Sequence, residues 1–154
     1  MLTMLISDRH PSRQGTHPET NYQMQHDIYS LGVVLLEIGL WTSFVIYDPE
    51  KESSSLVPNN ILGPANLARS RQPLGGAFEI KQKLEALAES ELPVRIGRRY
   101  TSIVLLCLRC LDPGSDRDRK GFGVGGADWT DEDGVVIGVR YIENVLEKIQ
   151  EINI

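Results

Sequence analysis

A chain of 154 residues is long enough for one domain with a single buried core. It is 41% hydrophobic and 24% charged with a net charge of −5, an ordinary globular balance that supplies no basic face for nucleic acid. Its two cysteines, Cys107 and Cys110, stand three apart in a predicted helix, a poor disulfide framework, and a reducing, cytoplasmic compartment fits best.

Residues 1–8 are a short apolar run without a basic n-region or a clear cleavage site, so no signal peptide is expected. Residues 8–26 are rich in Pro, His, Gln and Thr and read as irregular, extended chain. Asp27 is the expected N-cap of a helix over 27–41, because its carboxylate can accept free amides of a first turn. That helix is apolar on nearly every face, which predicts burial in a core or a membrane. The window 28–47 is long enough to span a bilayer. Glu37 in its middle disfavours the span, since a central carboxylate costs about 2.5–3.5 kcal/mol to insert. No membrane association is therefore expected.

Residues 48–76 carry Ser53-Ser54-Ser55, Pro58-Asn59-Asn60, Gly63-Pro64 and Pro73-Leu74-Gly75-Gly76 and read as loop, with a possible short helix over 65–70. Over 77–90, Ile80, Leu84, Leu87 and Ala88 follow helical spacing, and Pro93 is expected to stop that helix. A third helix is expected over 101–111, capped by Thr101 and ended by Asp112-Pro113-Gly114. Residues 113–134 read as a Gly- and Asp-rich loop, and 135–137 as a short strand without a partner. A last helix over about 138–152 places Ile142, Val145, Leu146, Ile149 and Ile152 on one face. The expected fold is mainly α, packed around the helix at 27–41.

Three motifs fail as chemistry. Gly121-Phe122-Gly123-Val124-Gly125-Gly126 has the phosphate-cradling spacing, but it follows an Asp/Arg loop and precedes a run of carboxylates that would repel a polyphosphate. Asp131-Glu132-Asp133-Gly134 is no calcium loop, because Trp129 and Arg140 would occupy its first and twelfth ligand positions. Cys107-Leu108-Arg109-Cys110 lies late in an apolar helix and reads as core, with no second Cys/His pair to complete a zinc site. His10, His17 and His26 have no helical i,i+4 spacing between them and read as loop residues. No catalytic, cofactor-binding or metal-binding residue is assigned.

Asp27-Ile28-Tyr29-Ser30-Leu31-Gly32, continued by an apolar run to Glu37, resembles the central helix of the C-terminal lobe of protein kinases. His10-Pro11-Ser12 resembles a variant of the A-P-E motif that closes the activation segment. Cys107-Leu108-Arg109-Cys110-Leu111-Asp112-Pro113 resembles the late C-lobe pattern C-L-x-x-D-P. With Gly97-Arg98-Arg99-Tyr100 and Val139-Arg140-Tyr141-Ile142-Glu143, the set is similar to a group of fungal kinase-like domains. The resemblance covers residues 9–152 and leaves 1–8 unassigned. It implies a partial kinase-like domain, from the end of the activation segment onward, built around one buried central helix.

The family's activity is ATP- and magnesium-dependent phosphorylation of protein hydroxyls. The V-A-I-K, H-R-D and D-F-G motifs that carry it are absent from this chain. The implied chain is catalytically inactive alone, a pseudokinase-type fragment. Its implied partner is the missing N-terminal lobe or another protein. A standalone helical protein-interaction module is the alternative. Ser12 stands where the family has the A-P-E glutamate, and Asp116 where it has the arginine that pairs with it. Losing both strands neither charge. With the catalytic loop gone, Asp27 is expected to keep only its capping role.

Overall fold

The computed structural model describes residues 9–13, 22–47, 56–62, 73–112, 138–139 and 141–152. The motifs at 121–126 and 131–134, the strand at 135–137, the helix at 65–70, His17 and Asp116 lie outside them. The described chain is mainly helical, as expected. It runs α1 (Met24–Leu40), β1 (Val45–Tyr47), β2 (Leu56–Pro58), α2 (Pro73–Arg95) and α3 (Arg98–Leu108). A π-helical turn, Ile142–Leu146, then leads into α4 (Glu147–Gln150). β1 and β2 pair antiparallel, with Ile46 opposite Val57. β2 and the start of α2 at Pro73 correct the reading of 56–58 and 73–76 as loop: three-residue strands are too short to display an alternating pattern, and proline is tolerated in a first helical turn.

α1 starts before Asp27. Gln23 is its N-cap, and His26 reaches back so that its Nδ1 accepts the Gln23 backbone N–H at 2.9 Å. Imidazole here does what a Glu or Gln does at the same position of a capping box. Asp27 sits inside the first turn, still favoured by the helix dipole, and accepts the Tyr22 hydroxyl. It is neither the cap nor a residue with a capping role alone.

At the other end Trp41 adopts the left-handed conformation, φ 52°, and its amide and that of Thr42 return to the Ile38 and Glu37 carbonyls. The Glu37 carboxylate then accepts the Phe44 amide at 2.6 Å and the Ser43 hydroxyl at 3.1 Å. That charge reverses the chain into β1. The window 28–47 is therefore broken at Trp41, and no helix among the described residues is long and apolar enough to cross a membrane.

Ile28, Tyr29, Val33, Leu36 and Leu40 are buried, each worth about 1.5–3 kcal/mol relative to exposure. Burial is not complete around α1. Val34, Ile38 and Trp41 stand 45, 52 and 88% exposed along one stripe. The all-round apolarity therefore overstated how much of the helix is enclosed by the described residues.

α2 buries Ala77, Ile80, Leu84, Ala88 and Leu92, and it continues through Pro93. The proline falls in the last turn, where its missing N–H costs one bond to the carbonyl of exposed Glu89, which water can satisfy. The helix ends instead where the Ile96 and Gly97 amides return to the Leu92 carbonyl, with Gly97 at φ 100°. α3 starts at once, with Gly97 as its N-cap. Thr101 does not cap it. Its hydroxyl donates back to the Gly97 carbonyl at 3.0 Å.

The last helix is not regular. Widening one turn to a π-helix rotates Ile142 and Leu146 outward, while Val145, Ile149 and Ile152 stay on the core. The expected five-residue face is thus reduced to three.

A Cβ on Gly32 would lie 2.8 Å from the Cys107 Cβ and 3.1 Å from the Leu108 backbone nitrogen. Gly32→Ala gains about 1 kcal/mol of helix propensity. Overpacking against atoms that cannot swing aside costs about 1–3 kcal/mol. Urea denaturation is expected to show a net loss of up to about 2 kcal/mol. Gly138→Ala, which meets nothing within 4 Å, should leave the midpoint unchanged or raise it.

Candidate functional site

The chain just before α1 folds a single 3-10 turn, Pro11–Arg13, closed by the Arg13 amide on the His10 carbonyl at 2.9 Å. The turn lies between α2 and the start of α1. A polar cleft of ≈ 260 Å³ opens there, lined by Arg9, His10, Arg13, Tyr22, His26, Asp27 and Ser30.

His10 and His26, read separately as loop residues, meet in this place. His26 lies in the first turn of α1 and both rings are buried. Ser12 stands between them, its Oγ 2.8 Å from His10 Nδ1 and 3.4 Å from His26 Nε2. The Ser12 backbone N–H also donates to His10 Nδ1, at 3.3 Å. His10 packs edge-on against the Tyr29 ring, and Tyr22 stacks on His26. Burial, the Lys81 ammonium and the His26 ring push His10 down to about 4. Burial also lowers His26, against a rise from its bond to the Gln23 backbone.

Behind the turn lies a buried cation. Lys81, its side chain 6% exposed, bonds Asp112 at 2.7 Å and Glu85 at 2.7 Å. Arg109 extends the network to Glu85 at 2.7 Å and Glu89 at 2.6 Å. Burial would raise Glu85, but hydrogen bonds from Lys81 and Arg109 outweigh it and hold the carboxyl below its ordinary range. The network ties α2 to the turn that follows α3. Cys110, in that turn, donates its thiol to the Gln25 carbonyl at 3.1 Å.

Lys81 escaped the sequence reading, although its position carries the signal. It shares the helical spacing of Ala77, Ile80, Leu84 and Ala88, so it falls on the apolar face and must find partners there. The pairing of His10 with His26 spans sixteen residues, which no local spacing rule detects.

The arrangement is poor equipment for catalysis. His10 is neutral at physiological pH and a weak base, and Ser12 is held between two imidazoles. The Cys107 thiol is pushed up to about 12 and Cys110 higher still, both chiefly by burial, so neither is a nucleophile. Among the described residues no three His, Cys, Asp or Glu side chains converge on a metal position. Among the described residues the cleft presents one carboxylate, Asp27, already engaged by Tyr22.

Comparison with protein-family models, with curated proteins and with solved structures finds no match for this chain.

Asp112→Asn leaves the Lys81 ammonium buried with one opposite charge and one acceptor oxygen fewer and is expected to cost about 1–3 kcal/mol in denaturant unfolding at pH 7. The double variant Lys81→Met with Asp112→Asn should recover part of that loss, because it strands no charge. Glu85 contributes stability above its unfolded value, and that contribution disappears as pH falls through its lowered folded value.

Proposed function

We propose that this chain is the helical C-terminal-lobe portion of a protein kinase-like domain, without phosphoryl-transfer activity of its own. One observation carries the reading. The three stretches that resemble kinase motifs converge on the start of α1: His10 and Ser12 against His26, Cys110 against Gln25, and Asp112 on Lys81 behind them. The late stretch lies 85 residues from the start of α1 in sequence, and folding brings it there. The central helix of the resemblance, α1, packs against both α2 and α3 and supplies core residues Ile28, Tyr29, Val33, Leu36 and Leu40. In this reading the chain acts as a cytoplasmic scaffold element whose partner is the rest of such a domain or another protein.

A second reading, a standalone helical interaction module, is favoured by the exposed stripe Val34, Ile38 and Trp41, since contiguous exposed apolar surface serves contacts. An in-frame H-R-D and D-F-G in the genomic sequence just upstream would support the first reading. Their absence, with a defined stoichiometric partner, would support the second.

Incubation with radiolabelled ATP, magnesium and generic protein substrates is expected to give no transfer above a buffer blank. Turnover above that blank, abolished by heat denaturation, would refute the inactive assignment.

A further inference from the structure

The histidine–serine–histidine bridge has a direction. His26 Nδ1 accepts the Gln23 backbone N–H, so in the neutral ring the proton sits on Nε2, facing Ser12 Oγ. His10 Nδ1 accepts the Ser12 backbone N–H, so it also accepts the Ser12 hydroxyl proton, and the neutral ring carries its own proton on Nε2. Donation therefore passes from Gln23 through His26 and Ser12 to His10. His10 Nε2, at the end of this relay, is buried and has no hydrogen-bond partner among the described residues.

We infer that His10, Ser12 and His26 form a proton-operated latch, which holds residues 9–13 against the start of α1 at neutral pH and releases them on acidification. The two histidines differ in their response. Burial opposes a charge on His26, but a proton on its Nδ1 meets the Gln23 carbonyl, 3.0 Å away, which offsets part of that cost. A proton on His10 Nδ1 faces the Ser12 N–H donor, forces the Ser12 hydroxyl to reverse, and puts a charge into a buried site. His10 is the trigger.

The surroundings reinforce that assignment. From α2, Lys81 faces His10 as a cation whose partners are Glu85 and Asp112. From α1, His26 and the Tyr29 ring flank it. Arg9 and Arg13 bracket it in its own segment, and Arg13 also opposes a charge on His26. Asp27 favours a charge on His26, and its carboxylate is shared with Tyr22.

The sign follows from linkage. The released histidine binds a proton near 6.5 and the latched one near 4, so the open form takes up more protons between those values. The latch is intact above about 6.5 and weakens as pH falls toward 4. Going from pH 7 to pH 5 should raise the open-to-latched ratio roughly 20-fold, from the two values about 6.5 and about 4.

Amide hydrogen exchange of the whole chain, followed by NMR and corrected for intrinsic pH dependence, tests this. Ser12 and Arg13 amides should lose protection by roughly that 20-fold between pH 7 and pH 5. The Leu36 amide, in the middle of α1, should hold. His10→Asn keeps an acceptor oxygen for the Ser12 N–H and cannot titrate, so its Ser12 protection should change less than about twofold over the same range. Equal protection at both pH values in the unaltered protein, or an undiminished pH response in His10→Asn, would overturn the latch. If His10→Asn does not fold, ring-nitrogen NMR of the unaltered protein decides. An Nε2–H tautomer of His10 at pH 7 that resists protonation down to pH 5 supports the latch. An Nδ1–H tautomer, or protonation near 6.5, overturns it.

Discussion

Gly32 stands where a Cβ would come within 2.8 Å of the Cys107 Cβ, so α3 packs on the backbone of α1 and not only on its side chains. Gly39, two turns later on the same side, lies equally close beneath Leu92 of α2 and Tyr100 of α3. Once the helices are this near, side chains of the outer elements reach main-chain oxygens of α1 directly. The Tyr100 hydroxyl donates to the Leu35 carbonyl at 2.6 Å, and Arg95 donates to the Leu40 carbonyl at 3.2 Å. The Cys110 thiol does the same at Gln25. Van der Waals contact sets the distance, and these hydrogen bonds set the rotation and register of the helices around it.

The polar part of the structure is placed by the same geometry. With α3 drawn against α1, the turn that follows α3 comes to rest over α2, and Asp112 meets Lys81. A buried ammonium is expensive unless paired, so it tolerates few arrangements of α2 against that turn. Hydrophobic contacts alone would accept a sliding of either element by a fraction of a turn. The charges do not.

How far this could be read from residue order differs between levels. Helices along the chain were legible because Ile80, Leu84 and Ala88, or Ile103, Val104 and Cys107, repeat with helical spacing over several turns. Their ends were less so. Asp27 and Thr101 have the chemistry of caps, yet Gln23 and Gly97 take those positions, because His26 reaches back to the Gln23 N–H and Gly97 adopts φ 100° where α2 gives way to α3. The hairpin of β1 and β2 was illegible, since its strands are three residues long and its anchor is the Glu37 carboxylate on another element. The polar cleft was half legible. Residues of both sides were singled out as motifs, but their meeting depends on folding 9–13 back over α1, which only long-range packing determines.

The π-helical turn at Ile142–Leu146, where the Glu147 N–H reaches back five residues to the Ile142 carbonyl, leaves the seam of the last helix unbroken. Tyr141, Val145, Ile149 and Ile152 follow one another at intervals of four, four and three residues, the ordinary helical spacing, and all four meet the same core. Ile142 and Leu146, inside the wider turn, are the apolar residues left exposed. A local change of helix type thus alters which residues water sees without shifting those that the core holds.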